Sequence, residues 1–195
     1  MTAAVVELGW EWGSLLRTWQ ELDLPDGWRA EILGEGITMT PPPPKSHNFI
    51  SGIVHRVLVE SIDKNWNVYQ TLGVSVSSIG SLYIPDLAVA SGASLTGVDN
   101  DPVPAEELSL VVEITSRRNA RHDRQTKRWG YAHAPVPLYL LIDRWDEHGP
   151  AVTLFSQPSD GDYRCSERVS FGKPITLPAP FDVRIDTSGF PAPPS

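Results

Sequence analysis

The chain of 195 residues contains a single cysteine, Cys165, so no disulfide can form within it. A lone thiol suits a reducing compartment and is expected to be structural. Long apolar runs are missing too: none approaches the roughly 20 residues of a membrane-spanning helix. The first residues, Met1 to Gly9, lack the basic start of a secretory leader. A soluble, cytoplasmic protein with no membrane partner is the expectation. Also absent are a glycine-rich phosphate loop, cysteine–histidine zinc spacing and a serine nucleophile elbow. Ser116 ends an apolar run, but no glycine flanks it, which argues against a serine hydrolase. Positive charge is scarce: 16 Lys and Arg against 24 Asp and Glu give a net charge of −8. Such a balance repels nucleic acid at long range and excludes a general DNA-coating role. No internal repeat is present.

What the chain does hold is 41% hydrophobic residues, enough for one core. The expected organisation is one domain over residues 1–187, followed by a proline-rich, disordered tail over 188–195. The most informative stretch runs from Ile84 to Tyr131. Ile84-Pro85-Asp86-Leu87-Ala88-Val89-Ala90 and Leu110-Val111-Val112-Glu113-Ile114-Thr115-Ser116 both read as short buried strands, each carrying one acid. An ionised carboxylate in an apolar strand shifts its pKa or needs a counter-charge. Two on neighbouring strands suggest a shared cation. With the backbone carbonyl of Ile114 they form an oxygen-only set suited to Mg²⁺ or Mn²⁺. Past Ser116 the pattern turns helical, and Asp123, Lys127 and Tyr131 recur every four residues, which puts them on one helix face.

At these residues the sequence resembles the Uma-two family of endonucleases, a branch of the PD-(D/E)XK nuclease superfamily. The resemblance covers roughly Gly27 to Ile185. It begins with Ala30-Glu31-Ile32-Leu33-Gly34-Glu35-Gly36 and Met39-Thr40-Pro41 leading to His47. It continues through Pro85-Asp86, Glu113-x-x-Ser116, Asp123, Lys127 and Tyr131. Where the wider superfamily has a lysine two positions after the acid, this chain has Thr115, and Lys127 on the next helix matches the displaced lysine of the Uma-like branch. The resemblance implies an α/β (α+β), restriction-endonuclease-like core: a mixed central β-sheet flanked by helices, with an added N-terminal helix and hairpin and a C-terminal β extension. It also implies catalysis by Asp86, Glu113 and Lys127, with Glu31, His47, Asp123 and Tyr131 as additional site residues.

The remaining text supplies the frame. Trp12, Leu15, Leu16, Trp19 and Leu22 repeat at helical spacing and predict a packing helix closed by Pro25-Asp26-Gly27. Its tryptophans are expected in the core rather than stacked on bases. Trp28 to Thr40 alternates like a hairpin turning at Gly34-Glu35-Gly36. Glu31 in its first strand is either a further acid of the site or an exposed strand residue. Ser46 suits the N-cap of a helix to about Lys64. His47 in its first turn either meets a phosphate, orients an acid, or lies on the surface, the surface reading being slightly preferred. One strand is expected over Val68–Ser77, and a loop over Ser91–Glu107 in which Asp99-Asn100-Asp101-Pro102 lacks calcium-loop spacing. Pro137–Asp143 predicts a strand joined to the Glu113 strand by a crossover helix. Hairpin strands over Ala151–Ser156 and Tyr163–Val169 follow, then short strands at Ile175–Leu177 and Phe181–Ile185.

Arg117, Arg118, Arg121, Arg124, Lys127 and Arg128 stand against the single acid Asp123 in this stretch. The patch either contacts phosphates, Arg117, Arg118, Arg121, Arg124 and Arg128 being the candidates, or is a solvated face. The leading function is a Mg²⁺- or Mn²⁺-dependent endonuclease hydrolysing DNA phosphodiester bonds. Asp86 and Glu113 would hold the metal, Lys127 would stabilise charge, Asp123 would position Lys127, and Tyr131 would pack or hydrogen-bond beside it. The alternatives are a catalytically silent nuclease-like module that binds nucleic acid or protein, and a hydrolase of a small phosphorylated substrate. A homodimer is the default assembly.

Overall fold

The computed structural model describes residues 11–34, 36–92, 101–117 and 119–193. In chain order the elements are α1 (Trp12–Gln20), β1 (Arg29–Leu33), β2 (Gly36–Thr40), α2 (Lys45–Ser61), β3 (Trp66–Tyr69), β4 (Val74–Val76), β5 (Ser81–Tyr83), β6 (Leu87–Ser91), β7 (Val103–Pro104) and β8 (Leu108–Ile114). A π-helical turn (His122–Lys127) runs into α3 (Arg128–His133), and β9 (Leu138–Asp143), β10 (Ala151–Ser159), β11 (Asp162–Ser170), β12 (Ile175–Leu177) and β13 (Val183–Ile185) complete the chain. The class is α/β, as expected.

The central sheet has six strands in the order β11-β10-β9-β8-β6-β3. It is mixed because β8 and β9 pair in parallel, while β6 and β8 pair antiparallel. The parallel pair needs a crossover, which the π turn and α3 provide. Alternation along the strands sorts the side chains. Leu87, Val89, Leu110, Val112, Leu140 and Ile142 face α2, where Ile50, Val54 and Leu58 are fully buried against them. Each such side chain contributes about 1.5–3 kcal/mol. Ala88, Ala90, Val111, Tyr139 and Leu141 face the other way, against Tyr131 and Ala132 of α3 and against Val74, Val76 and Tyr83.

A second sheet, ordered β2-β1-β5-β4-β7, covers that second face, and α1 closes on it through Leu15, Ile32 and Leu82. The β1–β2 hairpin pairs Leu33 with Gly36, at the turn the sequence predicts. Trp12, Leu16 and Trp19 pack partly buried against the cluster of Leu15.

Several local expectations are corrected. The strand expected over Val68–Ser77 is two, β3 and β4, in different sheets; the chain turns between them, with Thr71 at φ 56°. Ser46 is not the cap of α2, which starts at Lys45 after Pro44; its hydroxyl accepts from Arg144 Nη1 at 2.8 Å instead. Within the Ser91–Glu107 loop, whose residues 93–100 lie outside the described residues, β7 pairs in parallel with β4. The tail expected to be disordered is docked as far as it is described: Phe190 is buried in the main core, and Arg144 donates to the carbonyls of Pro191 and Ala192. Cys165, expected to be structural, is exposed on the outer strand β11.

Candidate active site

Glu113 shares its strand parity with Val111, whose side chain packs in the cluster with Tyr131 of α3, and its own partners Lys127 and Tyr131 come from the π turn and α3. Asp86 does not lie within its strand as expected. It immediately precedes β6, in the bend after Pro85, where β6 and β8 stop pairing at Leu87 and Val112. There its carboxylate takes over as the acceptor of the ladder: the Ile114 N–H donates to Asp86 Oδ2 at 2.8 Å. Pro85 stands just before the strand, so the Asp86 side chain is presented, still buried, at the end of β6 where the ladder stops.

Two further groups hold Asp86. Arg29 Nη1 donates to Oδ1 at 2.8 Å, and His47 Nε2 lies 3.0 Å from Oδ2. Burial alone would raise the Asp86 carboxyl, but the hydrogen bond and charge of His47 and the Arg29 guanidinium outweigh it and hold the group below its ordinary range. His47 is thus not on the surface, as its place in the first turn of α2 suggests, but buried against the acid it orients. Arg29 escaped the sequence reading. It sits two residues before Glu31 in the same strand, and that spacing was the available signal.

Glu113 faces a different partner. Lys127 Nζ lies 3.0 Å from its Oε1, 2.9 Å from Glu31 Oε1 and 3.6 Å from Asp123 Oδ1. The Tyr131 hydroxyl donates to Glu113 Oε1 at 3.1 Å, and the Ile84 N–H donates to Glu31 Oε1 at 2.8 Å. Asp123, Lys127 and Tyr131 do share a buried face, as the four-residue spacing predicts, with the first two supplied by the π turn. Such widened turns recur at functional sites. Glu31 is a buried acid of the cluster, not an exposed strand residue.

Three carboxylates around one ammonium leave a deficit of positive charge. Burial, and then repulsion from Asp123, Asp86 and Glu31, push the Glu113 carboxyl well up despite Lys127. Burial, with repulsion from Asp86 and Glu31, raises Asp123 to about 6 despite Lys127. Burial would discharge Lys127, but Glu113, Glu31 and Asp123 together hold its ammonium well above the ordinary range. These groups line one cleft of about 220 Å³, whose mouth adds Ser116, Arg117 and Asn119. Ser116 caps the turn after β8 by accepting from the Asn119 N–H at 3.3 Å.

The chain matches the family model described as "Putative restriction endonuclease" over residues 16–188. It belongs to the Uma2 family. The Uma2 fold is shared with a solved structure titled a "putative nuclease belonging to DUF820" from Anabaena variabilis, at a TM-score of 0.65 and 15% identity over 86% of this chain and 90% of that one. No curated protein matches the chain. Uma2 membership places it among nucleases of restriction-endonuclease type.

In this Uma2 chain the donor chemistry fits a hard divalent cation: the acids offer oxygen only, and a dication relieves the repulsion that adds to burial in raising Glu113 and Asp123. Among the described residues no three His, Cys, Asp or Glu side chains form a ready metal cage. The expected set of two carboxylates and the Ile114 carbonyl is smaller than that. Ile114 lines the cleft, and its N–H points to the Asp86 side.

The basic stretch divides. Arg124 forks onto Asp143, through Nε at 2.5 Å and Nη2 at 3.0 Å, and also donates to the Trp145 carbonyl. Arg128 pairs with Asp162 and lies over the Phe155 ring. Both thus have partners within the protein. Arg117 is exposed at the cleft and Arg121 is exposed on the turn, while Arg118 lies outside the described residues. Among the described residues no helix is long and apolar enough to cross a membrane.

Proposed function

We propose that this protein is a divalent-metal-dependent endonuclease that hydrolyses DNA phosphodiester bonds. One observation carries the reading: Asp86, Glu113 and Lys127, far apart in sequence, meet in one cleft with Lys127 in contact with Glu113. Asp86 and Glu113, with the Ile114 carbonyl, would hold Mg²⁺ or Mn²⁺. When bound, such an ion supplies Lewis acidity at phosphorus and acidifies water.

The chain's own residues supply the rest. Arg29 and His47 fix the orientation of Asp86, and Tyr131 fixes that of Glu113. Lys127, kept charged by its three acids, offers a preorganised ammonium to charge building on the phosphate oxygens. Asp123 positions Lys127. Arg117 at the mouth and Arg121 on the exposed turn receive neighbouring phosphates.

A second reading, a nuclease-like module that binds nucleic acid or protein without cutting, draws on a different observation. Arg29, His47 and Lys127 already counter the acids from within the chain. Incubation of the purified protein with supercoiled plasmid and single-stranded DNA, in Mg²⁺, Mn²⁺ or EDTA, decides between them. The endonuclease nicks in metal alone, and Asp86→Ala does not; binding without cleavage in every condition hands the lead to the module.

A further inference from the structure

Beside the cleft lies a second cavity of about 380 Å³, and Arg29, Pro42, Pro43 and Ile84 wall both. Its volume falls in the lower part of the roughly 300–1,000 Å³ range of small-ligand sites. Two tryptophans line it, Trp19 and Trp28. Trp19 is held on two sides: its indole Nε1 donates to the Ala30 carbonyl at 2.7 Å, and its ring edge lies so close to Gly73 that an added methyl there would stand 3.0 Å away. Trp28 is different. It is 38% exposed, an apolar aromatic left open to water at the cavity rim. Asn48, in the first turns of α2, adds an exposed side-chain amide that can donate and accept. Among the described residues no acid lines the cavity, and Arg29 on the shared wall is the one charged residue lining it.

These features select a flat, neutral, aromatic ligand with polar edges, attached to an anionic group on the side of the cleft. We propose that the cavity receives one unpaired nucleobase of a DNA strand whose phosphate lies in the cleft, a reading that rests on the nuclease assignment above. The base stacks on Trp28, and the Asn48 amide meets its edge. Every base has a π face, so stacking tolerates any sequence. A paired base is held in its duplex and enters only after unstacking, which costs a few kcal/mol. The consequence is a preference for single strands, or for duplexes with an unpaired residue beside the cut.

The test uses the full chain in EDTA at one fixed salt concentration, with labelled oligonucleotides as probes: single-stranded, duplex, and single-stranded with one abasic residue moved along the strand. Binding is read for the wild type, Trp28→Ala, Trp28→Tyr and Asn48→Ala, each first checked for a native thermal transition. The expected result is that the wild type prefers single strands and loses about tenfold in affinity at one abasic position. Trp28→Ala should lose the same factor on the intact strand and become indifferent to that position. Trp28→Tyr should keep most of the affinity, and Asn48→Ala should lose less than Trp28→Ala. If wild type and Trp28→Ala bind every probe alike while the wild type still nicks DNA in metal, the base site is wrong and the nuclease assignment stands. If the wild type neither binds nor cuts any strand, both fall.

Discussion

At Lys127 one ammonium lies within 3.6 Å of three carboxylates, all buried, so removing it strands charge that water cannot reach. Lys127→Met is expected to lower stability at neutral pH by about 3–5 kcal/mol, the cost of breaking a buried pair from one side. It should also slow single-turnover cleavage about a hundredfold or more. Urea unfolding checks the first effect and rapid-quench cleavage the second; a variant as stable as the wild type would show that Lys127 is not the countercharge.

The same residues set a pH dependence in the metal-free protein. Asp123, raised from 3.8 to about 6, and Glu113, raised well above its ordinary range, keep protons in the folded state that the unfolded chain has released. Stability therefore falls as pH rises from about 4 through about 6. Asp86 has the opposite sign: its lowered carboxyl contributes stability above 3.8 that is lost as pH falls further. In EDTA, unfolding free energy should be greater at about pH 5 than at about pH 7.5, and Asp123→Asn should reduce that difference. A stability that climbs steadily over the interval would contradict the assignment.

At the scale of elements, the π turn is anchored from β9. Asp143, at the end of β9, accepts both Arg124 nitrogens and the Thr115 hydroxyl, tying the ends of β8 and β9 to the turn that carries Lys127. Thr115, next but one to Glu113, thus has a structural partner. Arg124→Ala should cost about 2 kcal/mol of stability, because it strips a buried carboxylate of a charged donor. It should leave the salt dependence of DNA binding unchanged. Arg117→Ala should do the reverse, with native stability and a salt slope shallower by about one unit. Equal effects of the two on the salt slope would return Arg124 to the phosphate-binding face.

For the molecule as a whole, the acidic cluster is the feature that an added ion should relieve. Mg²⁺ or Mn²⁺ is expected to raise the thermal midpoint of the wild type, since binding to the folded state alone stabilises it. Asp86→Ala and Glu113→Ala should show no rise. An equal rise in all three proteins would place the ion elsewhere. The N- and C-terminal additions to the core serve it differently. α1 and the β1–β2 hairpin deliver Arg29 and Glu31 to the cleft, whereas Phe190 and the Arg144 contacts seal the opposite face.

The strands, the crossover and the polar face of Asp123, Lys127 and Tyr131 were legible in the sequence because each rests on short-range periodicity: two residues in a strand, nearly four in a helix. The acids stood out for a similar reason, since a carboxylate inside an apolar run is conspicuous. Which cation answers which acid was not legible. Arg29 reaches Asp86 across 57 positions and Lys127 reaches Glu31 across 96, and no local pattern encodes separations of that length. His47 and Glu31 could be read either way until burial was known. That Arg124 pairs with Asp143 and Arg128 with Asp162 was not legible either. Local spacing determined the elements and named the acids. Only the packing of the hairpin, α2 and the π turn around the ends of β6 and β8 decided their partners, because ion pairing depends on distance in space and not along the chain.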